Sequence, residues 1–175
     1  MCIRDRSRIS WPRNPGSSGH QQFANFLENY LLKNSEKVII QDFNYLEHIT
    51  GEDRQGKNLV AQFNLDAQER LLIGAHWDTR AVADEDPNPD NRSIPILGAN
   101  DGASGTAVLM ELAKIFSNNP PPIGIDLVFF DAEDVGISGQ PTTYAMGSEY
   151  FSKNLPILKP NSAIIVDMVA VSYTH

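Results

Sequence analysis

Runs of apolar residues that end abruptly at polar, charged residues are the main pattern along this chain. Three runs are short and almost purely apolar, which is typical of strands covered on both faces of a sheet. They are residues 71–75, 125–130 and 163–166. The first run is followed by His76-Trp77-Asp78, the second by Asp131-Ala132-Glu133-Asp134, and the third by Asp167.

Apolar residues at helical spacing predict three helices between or before these strands. A first helix follows Ser18, which could cap it, because five apolar side chains recur on one helical face. These are Phe23, Phe26, Leu27, Tyr30 and Leu31. A second helix is predicted over residues 105–116, with Val108, Leu112, Ile115 and Phe116 on one side, and a third over residues 144–153.

Two further segments, residues 38–46 and 59–63, are predicted to be extended, and the glycine-bounded segment 51–56 between them to be a hairpin turn. Apolar residues alternate with others in the second segment, so we expect a half-exposed strand there. The segment 83–96 is rich in Asp, Asn and Pro and is predicted to be a surface loop.

Strands that alternate with helices predict an α/β fold with a parallel central portion. In such sheets functional side chains gather beyond the carboxyl ends of the strands. The polar residues that end the three apolar runs are all placed there. They are His76, Asp78, Glu133, Asp134 and Asp167.

Imidazole and carboxylate groups at one sheet edge are the ligands of a hydrolytic zinc ion. Asp101, in the glycine-rich loop 98–105, could bridge two ions through its two oxygens. Asp78 could orient His76 from behind, since both point to the same side of an extended chain. Of the neighbours Glu133 and Asp134, one would bind the metal and the other would act as general acid or base. Each residue alone would be a cap or turn residue, but their joint placement predicts a metal site.

Charge and composition exclude several other classes. The net charge of −8 and the lack of a Lys/Arg cluster argue against nucleic-acid binding. Acidity would suit a cationic partner such as a peptide amino terminus, although solubility explains it equally well. The single cysteine, Cys2, excludes an internal disulfide. No apolar stretch approaches the roughly 18 residues that span a bilayer.

The two ends of the chain resemble translated adapter sequence at the ends of metagenomic gene fragments. We therefore expect residues 1–19 to be an irregular or artificial lead-in, residues 20–170 to be a partial catalytic domain, and residues 171–175 to be an artificial tail. An export signal would then lie outside the sequence.

The order of motifs resembles the M28 metallopeptidase superfamily, and within it the bacterial glutaminyl-peptide cyclotransferases (glutaminyl cyclases). The motifs are His-x-Asp, Gly-Ala-Asn-Asp-Gly-Ala-Ser-Gly, Phe-Phe-Asp-x-Glu-Asp, Tyr-x-x-Gly-Ser and Ile-Val-Asp-Met-Val. The resemblance implies a zinc-dependent, three-layer α/β domain. The implied domain has a mixed central sheet with a parallel core and helices on both faces, and we expect it to be truncated here at its C-terminal side.

The resemblance also implies roles for individual residues. Asp101 and Asp134 match zinc ligands, and Glu133 matches the general acid/base. In two-zinc aminopeptidases, Asp167 matches a ligand of the second ion, with His76 beside it and Asp101 bridging. In cyclases, which hold one zinc, Asp167 matches a member of a hydrogen-bond network with the acid/base.

Three functions follow as expectations from the resemblance. The first is a cyclase that converts an amino-terminal glutamine to pyroglutamate, and the second is an M28-type aminopeptidase. The third is a binding domain of the same fold without catalysis. For the two enzymes the partner is a peptide or protein amino terminus, which is the substrate. The family's last zinc ligand, a distant downstream His, has no match among His20, His48 and His175. The resemblance further implies an exported protein.

Overall fold

A five-stranded mixed sheet forms the centre of the protein in a computed structural model, which describes residues 11–170. The predicted artificial tail and most of the predicted lead-in, residues 1–10, lie outside the described residues. The strands are β1 (Lys37–Glu47), β2 (Glu52–Phe63), β3 (Arg70–His76), β4 (Gly124–Phe130) and β5 (Ser162–Ile165). The helices are α1 (Ser18–Lys33), α2 (Ala103–Asn118) and α3 (Met146–Lys153), with short 3-10 turns at Pro89–Asn91 and Pro141–Thr143.

The sheet order is β1-β2-β4-β3-β5, which separates an antiparallel half from a parallel half. β2 pairs antiparallel with both β1 and β4, whereas β3 lies parallel to both β4 and β5. Because β3 and β4 are parallel and joined through α2, their carboxyl ends meet at one edge of the sheet. The predicted α/β class with a mixed sheet and a parallel core is confirmed.

Helices cover both faces of the sheet. On one face, Leu27 of α1 and Leu109 of α2 pack against Leu127 and Phe129 of β4 in the main core. On the other face, Phe151 of α3 packs edge-to-face on Phe130 at a ring separation of 5.5 Å. These layers confirm the predicted three-layer arrangement.

The first helix confirms its predicted apolar stripe, with Phe23, Leu27 and Leu31 buried. Its cap is Ser17 rather than Ser18, because the Ser17 side chain accepts a hydrogen bond from the backbone N–H of His20. The predicted face of the second helix is correct in part, since Leu112 and Phe116 pack against the core while Val108 and Ile115 are exposed. The fully buried apolar residues of this helix include Leu109 and Ala113, each one position after a residue of the predicted stripe.

The predicted hairpin turn at residues 51–56 is also wrong. The turn lies at residues 48–51, and β2 begins at Glu52. Gly56 is a strand residue opposite Phe43, and a Cβ on it would lie 2.2 Å from the Phe43 ring. This glycine makes room for an aromatic ring instead of ending a strand.

Two predictions of strand burial are wrong, because the position of each strand in the sheet decides its burial. Residues 59–63 are buried rather than half-exposed, because β2 is an inner strand with Leu59 on one face and Val60 on the other. β5 is exposed rather than buried, with Ile164 51% and Ile165 63% accessible. It forms the edge of the sheet within residues 11–170.

Candidate active site and metal centre

The candidate site lies at the carboxyl edge of the parallel half of the sheet. His76 is the last residue of β3 and pairs in register with Phe130, the last residue of β4. The backbone N–H of Trp77 donates to the Phe130 carbonyl at 2.9 Å, so the two chains leave the sheet side by side. This register brings the motif after β3 against the motif after β4.

Three of the predicted metal ligands converge on one point. His76 Nε2 lies 2.9 Å from Asp101 Oδ1 and 3.5 Å from Asp167 Oδ1. One ligand atom from each of the three residues lies within 4.8 Å of the others. Asp101 is carried by the loop before α2, and Asp167 follows β5 by two residues. The imidazole is buried, while the two carboxylates face solvent.

The surroundings of His76 fit a zinc ion. Both ring nitrogens are buried, and neither makes a hydrogen bond of good geometry to a partner within residues 11–170. A buried polar atom without a partner is costly unless something satisfies it. Zinc binds imidazole nitrogen and carboxylate oxygen, which are the donors gathered here.

Asp78 joins the two strand ends behind the imidazole. Its side chain is fully buried, and its Oδ1 lies 3.4 Å from His76 Nδ1. The same carboxylate accepts hydrogen bonds from the backbone N–H of Glu133 at 3.0 Å and of Asp134 at 3.1 Å. Burial alone would raise the pKa of Asp78, but His76 and these two amides lower it. The orienting role of Asp78 stays a prediction, with a geometry that suits it.

The turn after β4 directs Glu133 and Asp134 to different partners. Ala132 has a φ of 53°, a left-handed conformation that is unusual for alanine. Asp131 fixes this turn, since its carboxylate accepts from the backbone N–H of Ala132 and of Lys57, each at 2.8 Å. As a result Glu133 Oε2 lies 3.9 Å from His76 Nδ1, whereas Asp134 points to Arg80.

Asp134 is a predicted zinc ligand that lies outside the three-residue cluster. Its Oδ1 is 3.2 Å from Arg80 Nη1, and Arg80 also forms a two-pronged pair with Asp84. Arg80 lies above the Tyr144 ring, 5.5 Å from its centre. Arg80 has no role in the predicted site, although it lies two residues after Asp78.

The site carries an excess of negative charge, which shifts the pKa of its members. Burial, with contributions from Asp78, Asp134 and Asp101, raises the pKa of Glu133 to about 7 against the opposing effect of His76. Burial also raises the pKa of Asp134 to about 6. Burial alone would lower the pKa of His76, but the carboxylates around it raise it to about 11. A carboxyl group with a pKa near 7 can accept and return a proton at neutral pH, as a general acid/base must.

Two buried polar residues that precede β1 also support the site, although they are not among the residues predicted from the sequence. His20 of α1 lies with its Nε2 2.8 Å from Asp131 Oδ1 and stacks on Trp77 at a ring separation of 4.4 Å. Arg13 is buried beneath the same strand end. These contacts join positions far apart in sequence, so no local pattern marks them.

Comparison with models of known protein families identifies the family of this chain. The model of peptidase family M28 matches residues 58–174, which include every candidate site residue. The chain belongs to peptidase family M28.

Solved structures and curated proteins of two activities are similar to it. A glutaminyl cyclase from Tannerella forsythia is 37% identical, with a TM-score of 0.88 over 94% of this chain and 59% of that one. A leucine aminopeptidase precursor from Bacteroides thetaiotaomicron is 34% identical, with a TM-score of 0.87 over the same shares. A glutaminyl-peptide cyclotransferase from Gloydius blomhoffii is 24% identical over 89% of this chain and 44% of its own length.

The chain spans about half the length of the curated relatives it matches, 48% and 44% for two of them. Among residues 11–170 there is no helix with the length and apolar character needed to cross a membrane.

Proposed function

We propose that the whole protein is a zinc-dependent enzyme that converts the amino-terminal glutamine of peptides to pyroglutamate with loss of ammonia. The observation that carries the zinc chemistry is the convergence of Asp101 and Asp167 on the buried imidazole of His76, with Glu133 beside it. The likeness to the solved glutaminyl cyclase supports this choice of reaction.

Zinc would be held by the carboxylates and imidazole at the carboxyl edge of the sheet. For a single ion the family resemblance assigns Asp101 and Asp134, while Asp101 lies in one cluster with His76 and Asp167. A bound zinc ion supplies a Lewis acid that polarises the carbonyl group under attack.

Glu133 would move the proton in this reaction. The α-amine of the substrate attacks the γ-carbonyl of its own glutamine side chain, and a new C–N bond forms as the original amide C–N bond breaks. Glu133 takes the proton that the amine loses and gives it to the departing nitrogen, which leaves as ammonia. The pKa of about 7 suits both halves of this transfer.

An aminopeptidase is the second candidate, and one observation favours it. His76, Asp101 and Asp167 are the set that the resemblance assigns to the second zinc of the aminopeptidases, and these three residues form the cluster in the structure. In that reaction Glu133 would take a proton from the attacking water and return it to the amine that leaves. The solved aminopeptidase precursor is as similar in fold as the cyclase.

One assay separates these functions. The whole protein, loaded with zinc, is incubated with a peptide that begins with glutamine, and mass spectrometry follows the products. Loss of ammonia from the intact peptide, faster than the spontaneous reaction and abolished by Glu133→Gln, supports the cyclase. Release of free amino acids supports the aminopeptidase. A folded, zinc-loaded protein that does neither with varied amino termini supports a binding domain.

The family resemblance further leads us to propose that the whole protein acts outside the cytoplasm. Cell fractionation with an antibody against residues 20–170 tests this, and retention in the cytoplasm would contradict it.

A further inference from the structure

We infer that Arg13 is a positioning residue of the candidate metal centre. Arg13 holds the loop of Asp101 against the end of β3 that carries His76. This inference rests on the zinc site proposed above. Arg13 lies in the irregular segment before α1, outside the residues that match the family model. It is nevertheless among the largest fully buried side chains, with 1% of its surface accessible.

The guanidinium joins two separate parts of the site through backbone carbonyls. Its Nε donates to the carbonyl of Trp77, between His76 and Asp78, at 2.8 Å. Its two terminal nitrogens donate to the loop that leads to Asp101, Nη1 to Leu97 at 3.2 Å and Nη2 to Gly98 at 3.1 Å. One planar group therefore fixes the distance between the strand end and the loop.

The backbone of Arg13 is fixed at the same place. Its N–H donates to the Thr79 hydroxyl at 2.7 Å, a buried contact across 66 positions of sequence. The guanidinium also lies above the Phe23 ring, 5.4 Å from its centre. Both contacts hold the side chain in the orientation that its hydrogen bonds require.

Arg13 is one of the groups packed closely around the glycines of the loop. A Cβ on Gly102, the residue after Asp101, would lie 2.4 Å from the Asp78 carbonyl oxygen and 3.3 Å from both Arg13 Nη2 and His76 Cε1. Gly102 also has a φ of 80°, which favours glycine. Arg13, the His76 imidazole and the Asp101 loop are therefore packed together at the candidate metal centre.

The positive charge of Arg13 also favours its position beside the Asp101 loop. Burial lowers the pKa of Arg13 to about 10, and the carboxylates of Asp78 and Asp101 oppose this shift. The buried cation therefore lies in the field of two carboxylates of the site. Lysine would keep the charge, but as a point donor it cannot reach the strand end and the loop with one planar group.

Arg70 offers a matched control, because it is a second buried arginine at the opposite end of β3. Its side chain is 2% accessible, and it pairs with Asp126 and donates to the carbonyls of Phe63 and Ile125. A loss of stability alone should affect Arg70→Lys and Arg13→Lys alike. A loss of metal-site geometry should affect Arg13→Lys only.

The experiment compares zinc affinity in the wild-type protein, Arg13→Lys and Arg70→Lys by competition with a chromophoric chelator. It is run at a temperature at which circular dichroism shows every variant folded. We expect Arg13→Lys to lose about tenfold or more in zinc affinity, as supporting residues of metal sites do, and to shift the visible spectrum of the cobalt(II) form. Arg70→Lys should keep the wild-type affinity and spectrum.

A second pair of variants tests the same inference if Arg13→Lys does not fold. Thr79→Val removes the acceptor of the Arg13 N–H at nearly constant volume, whereas Thr79→Ser keeps it. Weaker zinc binding in Thr79→Val than in Thr79→Ser supports the inference.

Wild-type affinity in Arg13→Lys, or equal losses in Arg13→Lys and Arg70→Lys, would overturn the role of Arg13 and leave the zinc site standing. Equal affinity in the two Thr79 variants would count against it in the same way. A wild-type protein that binds no zinc would overturn the proposed function, and this inference with it.

Discussion

The two ends of β3 each bury an ionisable side chain, and the difference between them separates stability from function. At the start of the strand, Arg70 donates to both oxygens of Asp126 at 2.8 and 2.9 Å, and Gln62 adds a third bond at 2.7 Å. Both charges are buried and matched. At the other end, His76 has four carboxylates within 4 Å of its nitrogens.

This contrast shows what to look for in a buried polar cluster. The Arg70 end is complete, because one cation meets one anion and every strong donor has an acceptor. The His76 end has more negative charge than protein cations, and its imidazole nitrogens lack hydrogen bonds among residues 11–170. Such an imbalance is expected where a metal ion supplies the missing charge and bonds.

The largest expected effect tests the Arg70 end. Asp126→Ala should lower the free energy of unfolding by about 3–5 kcal/mol, because it leaves a buried guanidinium without its counter-ion. Urea denaturation of the zinc-free protein measures the change. The double variant Asp126→Ala with Arg70→Met should recover part of the lost stability. An unaltered free energy of unfolding in Asp126→Ala would contradict the stabilising role of the Arg70 end.

At the His76 end, Glu133→Gln should reduce kcat/KM by about 100-fold or more, since general acid/base catalysis contributes at least that much. Its stability should change little, because the carboxylate is 40% accessible. Steady-state kinetics on a peptide with amino-terminal glutamine measures the first effect and thermal unfolding the second. An active Glu133→Gln enzyme would remove Glu133 from the proposed mechanism.

Zinc should stabilise the protein through the His76 end alone. At a free zinc concentration of 100 times its Kd, the free energy of unfolding should rise by about 2.7 kcal/mol. Asp101→Ala should abolish this gain, because Asp101 belongs to both proposed sets of zinc ligands, whereas a conservative change at the Arg70 end should leave it intact. Denaturation with zinc and with a chelator makes the comparison. A gain that survives in Asp101→Ala would place the ion elsewhere.

The smallest expected effect concerns the backbone near the site. Ala145 precedes α3 with a φ of 60°, and its N–H donates to the Glu133 carbonyl at 2.8 Å. Ala145→Gly should raise the free energy of unfolding by about 1 kcal/mol, because glycine adopts this conformation without steric strain. A loss of stability would mean that the methyl group contributes more through packing than it costs in strain.

Much of the fold and site could be predicted because the signals are local. The apolar runs before His76 and Asp131 mark the two central parallel strands, and the rule that such strands share a carboxyl edge brings their polar ends together. Burial is less predictable, because the neighbours of a strand decide it. β2 lies between β1 and β4, whereas β5 is at the edge of the sheet that residues 11–170 form. No short window of sequence holds that information.

The residues that support the site could not be predicted for a related reason. Arg13 reaches Gly98 across 85 positions, and His20 reaches Asp131 across 111. A lone arginine in a Pro- and Ser-rich segment looks like a surface residue until the fold closes over it. Asp134 is the opposite case, because the family resemblance implies a ligand there while its carboxylate lies against Arg80.

The hydrogen bonds of Asp78 to the amides of Glu133 and Asp134 also have a consequence for the strand register that a refolding chain adopts. They form only when β3 and β4 pair in the native register. A slip of one residue would turn every side chain of β3 to the opposite face of the sheet and leave these amides without their acceptor. A metal ion that binds the native arrangement would therefore favour correctly paired chains over slipped ones, and refolding with zinc should yield fewer misregistered molecules than refolding without it.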